Sequence, residues 1–150
     1  MAVITQCPEC GATYASDVDS CRARFDQLLA LDHSRQEPWG PRHGQAFAAF
    51  ALQHPTTHRA SLDAAWVMLY RIYCLHQPVA AVIASARRRA TVASDSGGVP
   101  ARLAERVAAP RITIADLGEF MATTYPERLD DWCRASLAAW GANAGAGGPA

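Results

Sequence analysis

"CRARFDQLLALDHSRQEPWGPRHGQAFAAFALQHP", residues 21–55, carries two helical periods with a break between them. In the first, Cys21, Phe25, Leu28 and Leu29 recur at the spacing that lines one face of a helix. Residues 34–41, "SRQEPWGP", contain two prolines and a glycine and stop it. His43, Phe47, Phe50 and His54 then follow at i, i+4, i+7 and i+11, and Pro55 ends the second run. So short a connection favours an antiparallel helix pair.

The same reading extends to the rest of the chain, where no alternating strand pattern of useful length occurs. Ser61 is placed to cap a third helix whose stripe is Leu62, Trp66, Leu69, Tyr73 and His76, ending before Pro78. "VAAVIASARRRA" reads as a fourth helix, its arginines gathered near the C-terminal end where positive charge suits the helix dipole. Residues 94–100 read as a loop, and residues 101–108 as a short helix before Pro110. Thr113 with Asp116 resembles a capping box, and Pro126 suits the first position of a last helix with Leu129, Trp132, Cys133, Ser136, Leu137 and Trp140 on one face. The predicted fold is mainly α: a compact helical bundle of about five to six helices with an N-terminal zinc-knuckle arm. Residues 1–140 form one zinc-binding helical domain in this reading, and residues 141–150, rich in Gly and Ala, a flexible tail.

A chain of 150 residues with half of them hydrophobic can bury a core without staples. Fourteen basic residues balance fourteen acidic ones, which argues against a nucleic-acid or anionic-membrane partner. Every basic residue is Arg, so lysine Schiff-base chemistry is excluded. No stretch reads as a signal peptide or a membrane span, and a cytoplasmic, reducing location is expected. There, closely spaced cysteines bind metal or react more often than they form structural disulfides.

"CPECG", residues 7–11, has the form of a zinc knuckle, in which two thiolates two residues apart reach one tetrahedral ion and the glycine accommodates the turn. A second CxxC pair is missing, and Cys21 with histidines 33, 43, 54, 58 and 76 are the remaining candidates. If the first two helices are antiparallel, the end of the second returns beside Cys21, which selects His54. His43 lies about 16 Å away along the helix and faces the far end, near Asp32 and His33. The expected site is a closed Cys3His zinc (Zn) centre of Cys7, Cys10, Cys21 and His54, with His58 and then His43 as alternatives to His54. A redox CxxC is disfavoured because such motifs sit at a helix start after a strand, and none is predicted here. His43 and His76 read otherwise as hydrogen-bonded core groups, Cys74 and Cys133 as small buried hydrophobes, and Gln53 as either an orienter of the site or a helix-end polar residue.

"CPECGA", the cysteine of "CRARFDQLLALDHS", "HGQAFAAFALQHP", "ITIADL" and "WCRASLAAW" together resemble the pattern of domain-of-unknown-function family 5946, short bacterial proteins, over about residues 7 to 140. The resemblance marks Cys7, Cys10, Cys21, His43, Gln53, His54 and Pro55, and it implies no reaction. It also implies that tyrosine often occupies the position of His58, which weakens that residue as a ligand. Two function classes follow from the residues. One is a binding or accessory module with a structural zinc ion, serving a protein partner or small ligand. The other is a metal-dependent enzyme with an open zinc position and His43 or His58 as acid or base. A nucleic-acid-binding zinc domain is a distant third.

Overall fold

Ser20 opens the first helix: its hydroxyl accepts from the Ala23 amide at 3.0 Å, satisfying one of the donors that a helix start leaves bare. From this cap α1 runs over Cys21–His33, followed by α2 (His43–Gln53), α3 (Leu62–Tyr73), α4 (Val79–Arg89) and α5 (Tyr125–Ala139). The computed structural model describes residues 4–89 and 98–143. Part of the loop expected over 94–100 and the last seven residues of the expected tail lie outside the described residues. The architecture is mainly helical, as the periodicities predict. Ahead of α1, β1 (Thr5–Gln6) pairs antiparallel with β2 (Thr13–Tyr14), Thr5 opposite Tyr14 and Gln6 opposite Thr13. Strands of two residues are too short to leave a period-2 signal.

α2 is the centre of the bundle. From Gln45 to Gln53 every residue except Phe47 is buried, including Ala46, Ala48, Ala49 and Ala51. A helix that is apolar almost all round is one enclosed by neighbours, and small side chains let those neighbours come close. Leu69 of α3 and Leu129, Trp132 and Leu137 of α5 are fully buried in the same core. Gln53 ties the layers together: its amide donates to the Ile112 carbonyl at 2.7 Å and to Ser136 Oγ at 3.0 Å.

Several local expectations are corrected. Residues 101–108 form no helix. Bracketed by Pro100 and Pro110, the segment is too short to repay helix nucleation. Its groups bond outward instead, with the Val107 amide on Ala139 O at 2.8 Å and the Arg102 guanidinium on Asp63 at 2.9 Å. α3 stops at Tyr73, and His76 takes a left-handed φ of 54° while the Gln77 amide bonds back to Arg71 O, so His76 is exposed and not on the inner stripe. Ser61 makes no capping bond, because the chain enters α3 through a 3-10 turn over Arg59–Ser61. The Thr113 and Asp116 capping box does form, and it opens the short 3-10 turn Ile114–Leu117. α5 starts one residue before Pro126. It ends on Gly141, at φ 87°, with the amides of Gly141 and Ala142 on Ala138 O and Leu137 O, a Schellman closure.

The close approach around α2 leaves no room for a larger side chain. Ala49→Leu should destabilise the protein by about 1–3 kcal/mol, whereas Ala138→Leu on the exposed side of α5 should change stability by less than about 0.5 kcal/mol. Urea unfolding of the two variants measures the difference, as a lower midpoint for the first alone.

Candidate metal centre

The antiparallel run of α1 and α2 brings the start of the first helix to the end of the second. Cys21, the first residue of α1, and His54, the residue that caps α2, meet there, and the knuckle folds over them. The hairpin β1–β2 holds the knuckle in shape. The Cys7 amide donates to Ala12 O at 2.8 Å and the Gly11 amide to Cys7 O at 3.0 Å, with Gly11 at φ 82°, a conformation that side chains rarely adopt. Cys7, Cys10, Cys21 and His54 each offer one ligand atom, and the four atoms lie within 4.8 Å of one another. This group can hold a metal ion.

Its chemistry is specific. His54 Nδ1 donates to the Phe50 carbonyl at 2.8 Å, which fixes the tautomer and leaves Nε2 as the free lone pair. That Nε2 is buried and has no hydrogen-bond partner, a costly arrangement unless something electropositive sits among the ligand atoms. The imidazole is stacked on Phe50, ring centroids 4.1 Å apart, and Phe50 is stacked on Phe25 of α1 at the same distance. Cys10 and Cys21 sulfurs are 3.5 Å apart. Tetrahedral zinc needs ligand atoms spaced about 3.5–3.8 Å, given bonds of about 2.3 Å to sulfur and 2.0 Å to nitrogen.

The protons are unevenly shared. The hydrogen bond between Cys10 and Cys21, followed by burial, pushes the Cys10 thiol up to about 12, and the same bond holds Cys21 below its ordinary value against the effect of burial. Tyr14 adds a second donor to Cys21, its hydroxyl 3.0 Å from the sulfur, and burial pushes that hydroxyl up. Cys21 thus has both the Tyr14 hydroxyl and the Cys10 sulfur turned toward it. Any ion must displace the Cys10 proton, as thiolate coordination requires.

Two attachments that the sequence reading missed lock the knuckle to α2. Glu9, between the two knuckle cysteines, accepts from the Thr56 amide at 2.7 Å and the Thr57 hydroxyl at 2.6 Å, just beyond His54 and Pro55. Burial would raise its pKa, but the Thr57 hydroxyl, the two threonine amides and His54 together hold it below the usual carboxylate value. Arg106, from the segment misread as a helix, donates to the backbone carbonyls of both Glu9 and Gln53. The only local signal for either was a charged residue inside "CPEC".

The other candidates fall elsewhere. His43 is paired with Asp32 at the opposite end of the hairpin, Nδ1 to Oδ2 at 2.9 Å. His58 does not join the four, and it sits edge-on to Phe47 and Phe50 with a buried, unpartnered Nε2. Gln53 is a tie between helices and orients none of the four through its side chain. Cys133 is fully buried, its thiol directed at Gln45 O 3.7 Å away, and Cys74 is half-buried. A cavity of about 390 Å³ abuts the group, lined by Cys7, Cys21, His54, His58, Phe50 and Tyr14 among others.

Fold and site together define a small helical bundle in which an N-terminal knuckle and the central hairpin jointly present a Cys3His group suited to a metal ion. The model of a family of unknown function, DUF5946, matches residues 5–141, and the chain belongs to that family. Comparison with curated proteins and with solved structures finds no match. Among the described residues no helix is long and apolar enough to cross a membrane.

Removing the Glu9 clasp tests how the knuckle is held. Glu9→Ala should lower stability by about 1–2 kcal/mol, and hydrogen exchange should speed up at the Thr56 and Thr57 amides while the amides of α5 keep their protection.

Proposed function

We propose that this chain is a zinc-binding helical module whose ion is structural, held by Cys7, Cys10, Cys21 and His54, and that the folded surface serves a protein partner or a small ligand as a binding or accessory protein. The observation that carries this reading is the bare, buried Nε2 of His54, aligned by the Phe50 carbonyl and grouped with three sulfurs. Zinc would supply charge and cross-linking there and no redox chemistry, and four protein ligands complete its usual shell. Three thiolates with a neutral imidazole carry one net negative charge around a divalent ion, and the Arg106 guanidinium on the Glu9 carbonyl brings a compensating positive charge to the knuckle.

A second reading is an enzyme with an exchangeable position on the ion, acting in bacterial metabolism. It is favoured by the cavity of about 390 Å³ against three of the four ligand residues, with the unpartnered ring nitrogen of His58 at its edge. His43 is not available to this chemistry, being about 16 Å along α2 from His54. Cobalt substitution separates the two readings. Thiolate-rich tetrahedral bands that do not respond to added azide support the structural ion, and bands that shift on azide support the open one.

The ligand set has its own tests. Elemental analysis of the purified chain should find about one zinc per molecule. Cys10→Ser should reduce that content and lower Tm, and full zinc retention in this variant would remove the knuckle from the site. His54→Ala should lose more zinc than His43→Ala, because only His54 lies with the cysteines. The opposite ranking would refute the ligand assignment.

A further inference from the structure

At the far end of the hairpin a second built site lies outside the metal group. Asp32, in the last turn of α1, has a side chain only 1% exposed, while that of its partner His43 is 43% exposed. The carboxylate therefore faces inward and orients the ring, and because Nδ1 donates to Asp32, Nε2 is the nitrogen left for a ligand. Burial raises the Asp32 carboxyl, and the bond from His43 works against that rise.

His43 lines a groove of about 1070 Å³ between the start of α2 and helices α3, α4 and α5. Asp130 of α5 lines it too, and it is also held from behind. The Tyr73 hydroxyl donates to Asp130 Oδ1 at 2.7 Å and accepts from Gln45 Nε2 at 2.7 Å, and both Tyr73 and Gln45 are buried. Two polar groups of one groove are thus fixed by buried partners, which removes part of the ordering cost of binding. Arg42 and Arg87 add two guanidinium groups, Glu37 a second carboxylate, and Met68, Val79 and Ile83 an apolar wall. An apolar wall with a few convergent polar groups is the usual form of a small-molecule site.

We propose that this groove binds a small zwitterion with an apolar body, of about dipeptide size. The charges decide the class. The lining carries two guanidinium groups, that of Arg42 also donating to Pro38 O at 2.9 Å, and two carboxylates, so a purely anionic or purely cationic ligand gains from one pair and is opposed by the other, whereas a ligand carrying both signs satisfies both. The carboxylate of the ligand answers the arginines, its ammonium answers Asp130 and the Nε2 lone pair of His43, and its side chains cover Met68, Val79 and Ile83. A groove of about 1070 Å³ has ample room for a dipeptide, whose second side chain adds contact with the apolar wall.

The test is an NMR titration of the full-length chain as purified, with L-leucyl-L-leucine as probe and hexanoate and hexylamine as single-charge comparators. The dipeptide should shift the Gly44 amide and Met68 methyl signals saturably, and each comparator should bind at least about tenfold more weakly. His43→Gln and Arg87→Gln should each weaken the dipeptide about tenfold. Arg87 is exposed on α4, so its variant remains informative if His43→Gln fails to fold. No shift with any probe at millimolar concentration, unchanged affinity in Arg87→Gln, or hexanoate binding as tightly as the dipeptide would each overturn the proposal. Zinc content is measured separately, so failure here leaves the metal reading where it stands.

Discussion

Eleven residues of regular helix separate His43 from His54, and the resulting rise of about 16 Å assigns the two histidines to different chemistry. They share one stripe of α2, yet no single ion can take both. The antiparallel return of α1 gives each its own neighbour, Cys21 at one end and Asp32 at the other. The first is grouped with three sulfurs as one of four ligand atoms, and the second is oriented by a carboxylate. In both rings Nδ1 is occupied by a protein acceptor and Nε2 is left over, so the same tautomer serves two purposes.

The aromatic stack conveys this constraint from core to site. Phe25 from α1, Phe50 from α2 and the His54 ring lie in sequence at 4.1 Å spacings, so the packing that joins the helices also sets the plane of the imidazole. Phe50 contributes twice, its ring beneath His54 and its carbonyl on Nδ1. The position of the ligand nitrogen thus follows from core packing, which is more rigid than a surface loop would be.

Much of this was legible because it depends on periodicity and end-to-end geometry. The stripe Cys21, Phe25, Leu28 defined α1, and the hairpin argument alone put His54 beside Cys21 and His43 beside Asp32. What was not legible depends on contacts between distant segments. Nothing in residues 101–108 reveals that Val107 bonds to Ala139 or that Arg106 reaches the knuckle, since those partners lie far away in sequence. The capping box expected at Thr113 and Asp116 forms, but it opens only a short 3-10 turn, because a cap reports where a helix can start and not how long tertiary packing lets it run. His76 failed for a related reason, because a periodic stripe carries no mark for the residue that turns left-handed to end it.

The knuckle and the bundle are unequal in their means of support. Among the described residues ahead of α1, only Cys10, Ala12 and Tyr14 are buried, whereas α2 buries eight of its 11 residues and α5 seven of its 15. The helices can thus bury their apolar surface on one another, but the arm has too little to hold itself by burial. Its order rests on directional bonds: the Glu9 clasp, the Arg106 bridge, the Tyr14 hydroxyl on Cys21 and the ligand group itself. An ion at that group therefore acts chiefly on the arm. Because Cys21 and His54 belong to α1 and to the cap of α2, it would also fasten the arm to the two helices whose other ends carry the Asp32 and His43 pair.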